Sequence, residues 1–306
     1  MFGPDLYATL ALAASILAPA LPPRTGWVGD AVFIKKPGTA VGQLEADGTF
    51  TPNGVSRSIL HVVTRDEKGH VQVVQDGKRV WISKDDVVRL KDAVEYYTKM
   101  LDTEPDNDQW FAFRGIARHR EGKTEEALKD YAEAIRLRPK AASWYGNRGI
   151  IYMAAKRFDE AIADFTTAID LTENEMAYLN RGLAYSRKKE YAKAAADYAT
   201  AIERNPDSPL GQNQLAWLLS TAPDAKVRDG KRAVEAARNA CELTEHKNGG
   251  YLDTLAAAYA ETGDFAKAVE WQEKAVRAGD IPIRDRDGAR KRLELYKQKK
   301  PYREEE

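Results

Sequence analysis

The chain has few of the residues that build covalent or metal-centred chemistry. Its 306 residues contain one cysteine, Cys241, which excludes an internal disulfide and any multi-cysteine metal site. The four histidines are isolated from one another and form no HExxH motif; they are His61, His70, His119 and His246. Lys+Arg and Asp+Glu are equal at 47 each, so no net charge draws the chain to nucleic acid or to an anionic membrane.

The motifs of common enzyme classes are also absent. The sequence has no GxSxG, no GxxxxGK phosphate loop and no GxGxxG after a strand. Paired carboxylates such as Asp85-Asp86 and Glu125-Glu126 fall at turn or helix starts, where the helix dipole accounts for them. We therefore predict that the protein is not an enzyme and holds no cofactor and no metal.

Long apolar runs are missing except near the start of the chain. The run Ala8–Ala20 is too short to span a bilayer, but it has the length of a signal-peptide core and an A-x-A-like pattern at Ala18 and Ala20. Residues 1–7 carry no Lys or Arg and include Asp5, which a signal peptide does not explain. We predict an export segment over residues 1–23 and a periplasmic or cell-envelope bacterial protein. The alternative is a disordered or docked N-terminal helix on a cytoplasmic protein.

What the sequence does contain is repetition. The five-residue motif FAFRG at Phe111–Gly115 recurs as YGNRG at Tyr145–Gly149 and as YLNRG at Tyr178–Gly182. Intervals of 34, 34 and 33 residues separate the closing positions of successive units, which are Pro105, Pro139, Glu173 and Pro206. A period this constant indicates stacked supersecondary units.

The spacing within a unit resembles the tetratricopeptide repeat (TPR). From Asp108 onwards, the matching positions are Phe111, Gly115, Ala127, Tyr131, Ala134 and Pro139. In that family Gly115 and Ala127 would lie where two antiparallel helices cross closely. The resemblance implies a mainly α fold, a TPR-type α-solenoid of about five helical hairpins.

The resemblance covers residues 91–279. It divides them into an orphan helix at 91–104 and repeats at about 108–141, 142–174, 175–208, 209–246 and 249–279. The fourth repeat is long because its second helix, Arg232–Leu243, follows the inserted loop Thr221–Gly230. Residues 280–306 are predicted to form a capping helix and a charged tail, since a solenoid must cover its last apolar face. The alternative for the basic run Arg290–Lys300 is contact with phosphate or an acidic partner.

In residues 24–90 the apolar residues recur at every second position and no longer at helical spacing, which indicates strands and turns. The predicted strands are Ala31–Lys35, Ile59–Thr64, Val71–Gln75, Val80–Ser83 and Val87–Leu90, with hairpin turns at Asp66–Gly69 and Asp76-Gly77. The ends, Trp27-Val28-Gly29-Asp30 and Arg79-Val80-Trp81-Ile82, resemble the bacterial Src-homology-3 (SH3)-like family. That resemblance implies a small β-barrel that binds peptides or cell-wall stem peptides, with Trp27 and Trp81 as ligand candidates. The alternative is that both indoles pack in the core or against the adjacent helix.

A candidate partner-binding stripe runs along the first helix of each repeat. Positions 2, 5, 9 and 12 fall on one helical face, which lines the concave groove in the TPR family. They are Gln109, Ala112, Ile116 and His119; Ser143, Gly146, Ile150 and Met153; and Met176, Leu179, Leu183 and Ser186. An apolar, small-sided trough suits an amphipathic helix or an extended apolar peptide. The alternative is that the stripe packs against the chain's own helices.

The carboxylate clamp that holds chaperone tails in this family is absent. It needs Lys or Arg and Asn at positions that hold Ala112, Ile116, Asn147, Met176 and Asn180 here. Only Asn147 matches, which argues against capture of chaperone tails.

Three Arg–Asp pairs recur at a spacing of 16 residues. They are Arg114 and Asp130, Arg148 and Asp164, and Arg181 and Asp197. Repeats four and five lack both members, so we predict a structural ion pair between the two helices of a repeat and not a ligand site.

These features together predict a protein-protein interaction scaffold that binds a partner peptide or helix in the TPR groove. The alternative function is a cell-envelope protein whose barrel binds cell-wall peptide or peptidoglycan, with the repeats as a structural or localising module.

Overall fold

The computed structural model describes Trp27 and residues 30–35, 38–45, 47–55, 60–75, 78–278 and 283–304. The predicted export segment at residues 1–23 and the predicted turn Asp76-Gly77 lie outside the described residues. The described part is mainly helical, with a small β region ahead of the helices. The chain divides into two compact units, residues 1–171 and residues 172–306, which we call unit 1 and unit 2.

Unit 1 begins with short antiparallel strands. They are β1 (Ala31–Ile34), β2 (Ala40–Leu44), β3 (Phe50–Val55), β4 (Leu60–Val62), β5 (Arg65–Glu67), β6 (His70–Gln75), β7 (Lys78–Ser83) and β8 (Val87–Arg89). They form two sheets with strand orders β4-β1-β8 and β3-β2-β7-β6-β5. Neither sheet closes on itself among the described residues, so the predicted SH3-like barrel is not supported.

Strands β2, β3 and β5 were not predicted, for local reasons. Gly42 and Pro52 interrupt the apolar alternation. Pro52 is tolerated because β3 is an edge strand, and a Cβ at Gly42 would lie only 2.1 Å from the carbonyl oxygen of Thr51. Strand β5 takes up part of the predicted turn Asp66–Gly69, and the turn itself is confined to the last two of those residues.

Helix α1 (Leu90–Thr103) follows β8 directly and packs on the strands. The side chain of Tyr97 is fully buried, and its hydroxyl donates a 2.8 Å hydrogen bond to the carbonyl oxygen of Ile34. Its ring centroid lies 6.3 Å from that of Phe33 and 6.1 Å from that of Trp110. The strands and the first helices of unit 1 therefore share one core.

Helical hairpins make up the rest of the described chain. The helices are α2 (Asp108–Arg120), α3 (Thr124–Leu137), α4 (Ala142–Ala154), α5 (Phe158–Thr172), α6 (Glu175–Arg187), α7 (Tyr191–Arg204), α8 (Pro209–Thr221), α9 (Gly230–Leu243), α10 (Gly249–Glu261), α11 (Phe265–Ala278) and α12 (Ile283–Lys297).

The glycine of each five-residue motif lies at a close helix crossing, as predicted. A Cβ on Gly149 would lie 2.6 Å from the ring of Phe165, and one on Gly182 would lie 2.7 Å from the ring of Tyr198. The nearest neighbour is thus the aromatic ring of the second helix and not its small residue. The glycine makes room for that ring.

The side chain of Arg228 holds the inserted loop of the fourth repeat in place. Helix α9 begins at Gly230, two residues before the predicted start, and the carboxylate of Asp229 caps its first turn. The Arg228 guanidinium donates hydrogen bonds to the carbonyl oxygens of Ala222 and of the next residue, each at 2.8 Å, and to Glu261 at 3.1 Å. The loop therefore has a defined conformation.

Helix α12 covers apolar surface of α10 and α11, as expected of a capping helix. Its Tyr296 is fully buried in a small apolar cluster with Ala256, Ala260 and Ala268. Within the described ranges, no helix has both the length and the hydropathy needed to cross a bilayer.

Candidate functional site

In unit 1 the predicted groove stripe divides into buried and partly exposed positions. The buried ones are Ala112, Ile116, Asn147 and Ile150, in agreement with the alternative interpretation that the stripe packs against the chain's own helices. The partly exposed ones are Gln109, His119, Ser143, Gly146 and Met153. Burial, together with the neighbouring charge of Arg120, lowers the pKa of His119. A ligand of unit 1 can reach only the second group.

In unit 2 most of the stripe is accessible. Leu179 is buried, whereas Met176, Asn180, Leu183 and Ser186 are partly exposed. Met176 also packs against the apolar core of this unit. Leu183 and Ser186 border a cleft, which makes them the predicted positions best placed to contact a ligand.

This cleft lies between helices α6 and α8 and has a volume of about 560 Å³. Its apolar and aromatic lining consists of Leu183, Tyr191, Tyr198, Trp217 and Leu218, and its polar lining consists of Ser186, Arg187, Lys189 and Gln214. Arg187 and Lys189 are exposed and form no ion pair with any residue that the structure describes. Burial raises the pKa of Tyr198, so its hydroxyl keeps its proton at neutral pH. The cleft thus joins aromatic surface to exposed positive charge.

The remaining wall of the cleft is a short irregular segment that follows α12. We call Pro301–Glu304 the return segment, because it runs back to α8 and has no regular secondary structure. The backbone N–H of Glu304 donates to the carbonyl oxygen of Thr221 at 2.9 Å. The indole N–H of Trp217 donates to the Glu304 carboxylate at 2.7 Å, and the ring of Tyr302 lies 5.9 Å from that of Trp217.

The return segment is anchored on its other side by α12. Arg292 forms two hydrogen bonds with the carboxylate of Asp253, at 2.9 and 2.8 Å. Its guanidinium carbon lies 5.3 Å from the ring centroids of both Trp217 and Tyr302. Gln272, which is fully buried, donates to Asp253 as well. These buried polar contacts fix where the return segment leaves α12.

The three predicted Arg–Asp ion pairs are confirmed. The shortest distances between the charged atoms are 2.8 Å for Arg114–Asp130, 2.7 Å for Arg148–Asp164 and 2.8 Å for Arg181–Asp197. The side chains of the three aspartates are almost completely buried. Hydrogen bonding to the aspartate raises the pKa of Arg148 and of Arg181. Each pair joins the two helices of its repeat, which is a structural role.

Comparison with family models agrees with this geometry. Residues 89–142, 114–175 and 147–209 match one tetratricopeptide repeat model, and residues 250–278 match a second one. The chain contains tetratricopeptide repeats. No curated protein matches it significantly.

Solved TPR structures share the fold. YrrB, described as a TPR protein with an unusual peptide-binding site, is 20% identical and has a TM-score of 0.50; the match covers 65% of this chain and 100% of YrrB. A tetratricopeptide repeat protein from Parabacteroides merdae ATCC 43184 is 22% identical with a TM-score of 0.56, covering 69% of this chain and 81% of that one. Yeast Tom70 is 19% identical with a TM-score of 0.53, and the match covers 67% of this chain but only 43% of Tom70. At these identities the similarity shows the fold alone.

A second cavity lies at the far end of the TPR region, around Trp271. It has a volume of about 660 Å³, and Lys274 lies 3.9 Å from the centroid of the Trp271 ring. Its cations are partly neutralised, because Lys274 pairs with Glu270 at 2.7 Å.

The two indoles singled out in the β region are both in contact with the protein itself. Trp81 is buried in β7, where it pairs with Gly42. Trp27 is partly buried, and the Arg89 guanidinium lies 4.5 Å from its ring centroid. These contacts agree with the packing interpretation. A ligand role for either indole stays a prediction.

The cleft between α6 and α8 has no cluster of metal-binding or nucleophilic side chains among the described residues. Among the described residues no group of three or more His, Cys, Asp and Glu side chains is arranged to hold a metal ion. Cys241 is fully buried in α9, and burial raises the pKa of its thiol to about 12. It packs as a small apolar side chain, as the sequence predicts.

Of the cleft lining, sequence reasoning found only Leu183 and Ser186; its two main omissions are Trp217 and the return segment. Trp217 occupies the ninth position of the fourth TPR, counted from Pro209, so the same stripe rule would have found it had it been extended one repeat. The return segment carries no comparable signal. Tyr302 and Glu304 lie more than eighty residues from the helix they contact, and only the tertiary structure brings them there.

Proposed function

We propose that this chain is a non-enzymatic protein-interaction module that binds an extended segment of a partner protein in the cleft between α6 and α8. TPR proteins in general bind protein or peptide partners. The observation that carries the proposal is that a segment without regular secondary structure already lies along this cleft, with an aromatic side chain and a carboxylate against Trp217.

The chemistry of the cleft supports a peptide as the ligand. Its volume is within the range that accommodates a few side chains. Trp217 and the two tyrosines offer aromatic anchors of the kind that dominate binding energy at interfaces, and Arg187 and Lys189 favour acidic groups. YrrB, which shares the fold, is described as having a peptide-binding site. Met176, Asn180 and the partly exposed stripe positions of unit 1 are further contact positions in this proposal.

Site-specific photo-crosslinking in the native host tests the proposal. A photoreactive amino acid at Ser186 faces the cleft, whereas one at Ala196, which is exposed on α7, serves as the matched control. We expect Ser186 to crosslink to one defined segment of a partner and Ala196 not to do so. Adding Leu183→Arg should reduce the crosslink at least about tenfold, because it places a charge on the apolar lining. The same products from both positions would contradict the proposal.

The cell-wall alternative receives no support from the structure. It rested on a closed barrel, and the described strands form two open sheets. We therefore do not propose cell-wall binding.

We also propose, on the sequence of residues 8–20 alone, that the protein is exported. Determining the N-terminal residue of the protein purified from the envelope fraction tests this. A mature terminus near Leu21 supports export, and an intact Met1 in the cytoplasmic fraction contradicts it.

A further inference from the structure

The return segment has the features of a ligand bound in cis. All four of its residues remain partly exposed, and one backbone hydrogen bond, from Glu304 to Thr221, joins it to α8. Side chains of the segment make further contacts to the repeats. Tyr302 and Glu304 contact Trp217, while Arg303 donates to the carbonyl oxygen of Ser220 at 3.3 Å and pairs with Glu261. Recognition of a short peptide segment through its side chains, with few backbone hydrogen bonds, is therefore the mode that this contact resembles.

The contacted positions are equivalent to the two positions that line the cleft in the preceding repeat. Trp217 is the ninth residue of its repeat and Ser220 the twelfth, which are the positions of Leu183 and Ser186 in the preceding repeat. The return segment and the open part of the cleft thus lie along one continuous surface of unit 2. The segment borders this surface, and among the described residues no other extended segment borders the part beside Arg187 and Lys189.

We propose that Trp217 is the centre of a subsite for an aromatic residue followed two positions later by a carboxylate, and that the return segment occupies this subsite until a partner segment of the same chemistry displaces it. Tyr302 and Glu304 show both groups in place, with the indole N–H pointing at the carboxylate. Arg187 and Lys189, which are exposed and form no ion pair within the described part of the chain, favour a partner that is acidic. This inference rests on the proposed function and specifies the partner chemistry and the regulation of the same cleft.

Tethering makes the return segment a strong competitor. A segment attached to its site by a short connection acts at an effective concentration on the order of millimolar. A free peptide therefore binds the wild-type protein weakly, because the competent state is a small fraction of the population. Weakening the cis contacts should raise that fraction and improve binding of the same peptide in trans.

Peptide binding to the full chain tests the inference. The probe is a fluorescently labelled synthetic peptide with the sequence of residues 298–306, QKKPYREEE. Fluorescence anisotropy should show that the double variant Tyr302→Ala/Glu304→Ala binds it at least about tenfold more tightly than the wild type. The same peptide with alanine in place of its tyrosine and its first glutamate, which correspond to Tyr302 and Glu304, should bind neither protein. Lys297→Ala, an exposed change on α12 outside the subsite, should behave as the wild type.

The inference would be overturned if the wild type and the double variant bound the peptide with equal affinity. It would also be overturned if the alanine-substituted peptide bound the double variant as tightly as the unsubstituted peptide does. If the double variant does not fold, amide hydrogen exchange of the wild-type protein tests the inference instead. Excess peptide should speed exchange at the Glu304 amide and leave the amides within α8 unchanged, and unchanged exchange at Glu304 would overturn the inference. Partner crosslinking at Ser186 that excess peptide does not reduce would defeat this inference alone. Absence of any Ser186 crosslink would defeat the proposed function.

Discussion

At the scale of single residues, the ends of the first helices show how local backbone geometry fits the repeat. After each of four such helices, one residue adopts positive φ: Gly122 at 80°, Lys156 at 59°, Lys189 at 63° and Gly263 at 83°. The N–H of this residue and that of the next donate back to the last helical turn; after α4, Arg157 donates to Tyr152 at 2.9 Å. This is the Schellman arrangement, which favours glycine because a side chain is strained there.

Lys156→Gly should therefore stabilise the protein. The replacement relieves the strain of a left-handed residue that carries a Cβ, and we expect the free energy of unfolding to rise by about 0.5–1 kcal/mol. Urea denaturation measures this as a higher midpoint with an unchanged slope. Lys156→Ala is the control, since it removes the same side chain and keeps the Cβ. An equal gain from both variants would mean that the lysine side chain, and not the backbone, is responsible.

Two glycines of α4 should respond in opposite directions to alanine. A Cβ at Gly149 would lie 2.6 Å from the Phe165 ring, whereas a Cβ at Gly146 meets nothing within 4 Å. We expect Gly149→Ala to destabilise the protein by about 1–3 kcal/mol through overpacking. Gly146→Ala should stabilise it by about 0.5–1 kcal/mol through helix propensity. Thermal denaturation of both variants checks the prediction, and a stabilising Gly149→Ala would contradict the close helix crossing.

At the scale of elements, buried ion pairs join the two helices of the first three repeats. Arg148 donates to both carboxylate oxygens of Asp164, at 2.8 and 2.7 Å, and only 7% of the Asp164 side chain is exposed. Repeats four and five have apolar residues at the arginine position, Leu215 and Leu255, within the same hairpin fold. The hairpin therefore accepts either an Arg–Asp ion pair or an apolar residue at this position. Where the pair is present, each charge is stabilised by the other.

Asp164→Ala should destabilise the protein by about 3 kcal/mol, because it leaves the Arg148 charge buried without a partner. Adding Arg148→Leu, the residue found in repeats four and five, should recover part of that loss. A double-mutant cycle from urea denaturation measures the coupling between the two positions. Additive losses from the two single variants would contradict an energetic pair.

At the scale of the whole molecule, each compact unit has its own buried cluster. In unit 1 the strands and the first helices share a core around Tyr97, and in unit 2 the core reaches from Leu179 to Ala289. Cys241 belongs to the second core and is fully buried. As the chain's single thiol, it reports on the opening of unit 2 without any mutation.

The thiol of Cys241 should react with a disulfide reagent at about pH 8 at least about a thousandfold more slowly in the native protein than in concentrated guanidinium chloride. The physical reasons are that its pKa is raised to about 12, so little thiolate forms, and that the sulfur is buried. Absorbance of the released thiolate follows the reaction. Reaction in the native protein should then track the unfolding equilibrium of unit 2. Rapid native labelling would contradict the burial of α9.

Local patterns made much of the helical fold predictable. The period of 34 residues, the glycines at helix crossings and the Arg–Asp spacing each depend on contacts between neighbouring segments, which the sequence alone encodes. Sheet closure was not predictable in this way. Whether β1–β8 form one barrel or two sheets depends on pairing between distant strands, and Pro52 and Gly42 obscured two of those strands.

The candidate site shows the same division at the level of side chains. Helical spacing identified the stripe that includes Leu183 and Ser186, because the periodicity of a helix fixes which residues share a face. Spacing did not show that Ala112, Ile116, Asn147 and Ile150 are buried, since burial depends on how adjacent helices pack. It also did not show that Pro301–Glu304 lies against Trp217. The sequence by itself determined the repeats and the faces of their helices; the tertiary structure alone decided which face stays open and which segment of the chain lies on it, because those are long-range contacts.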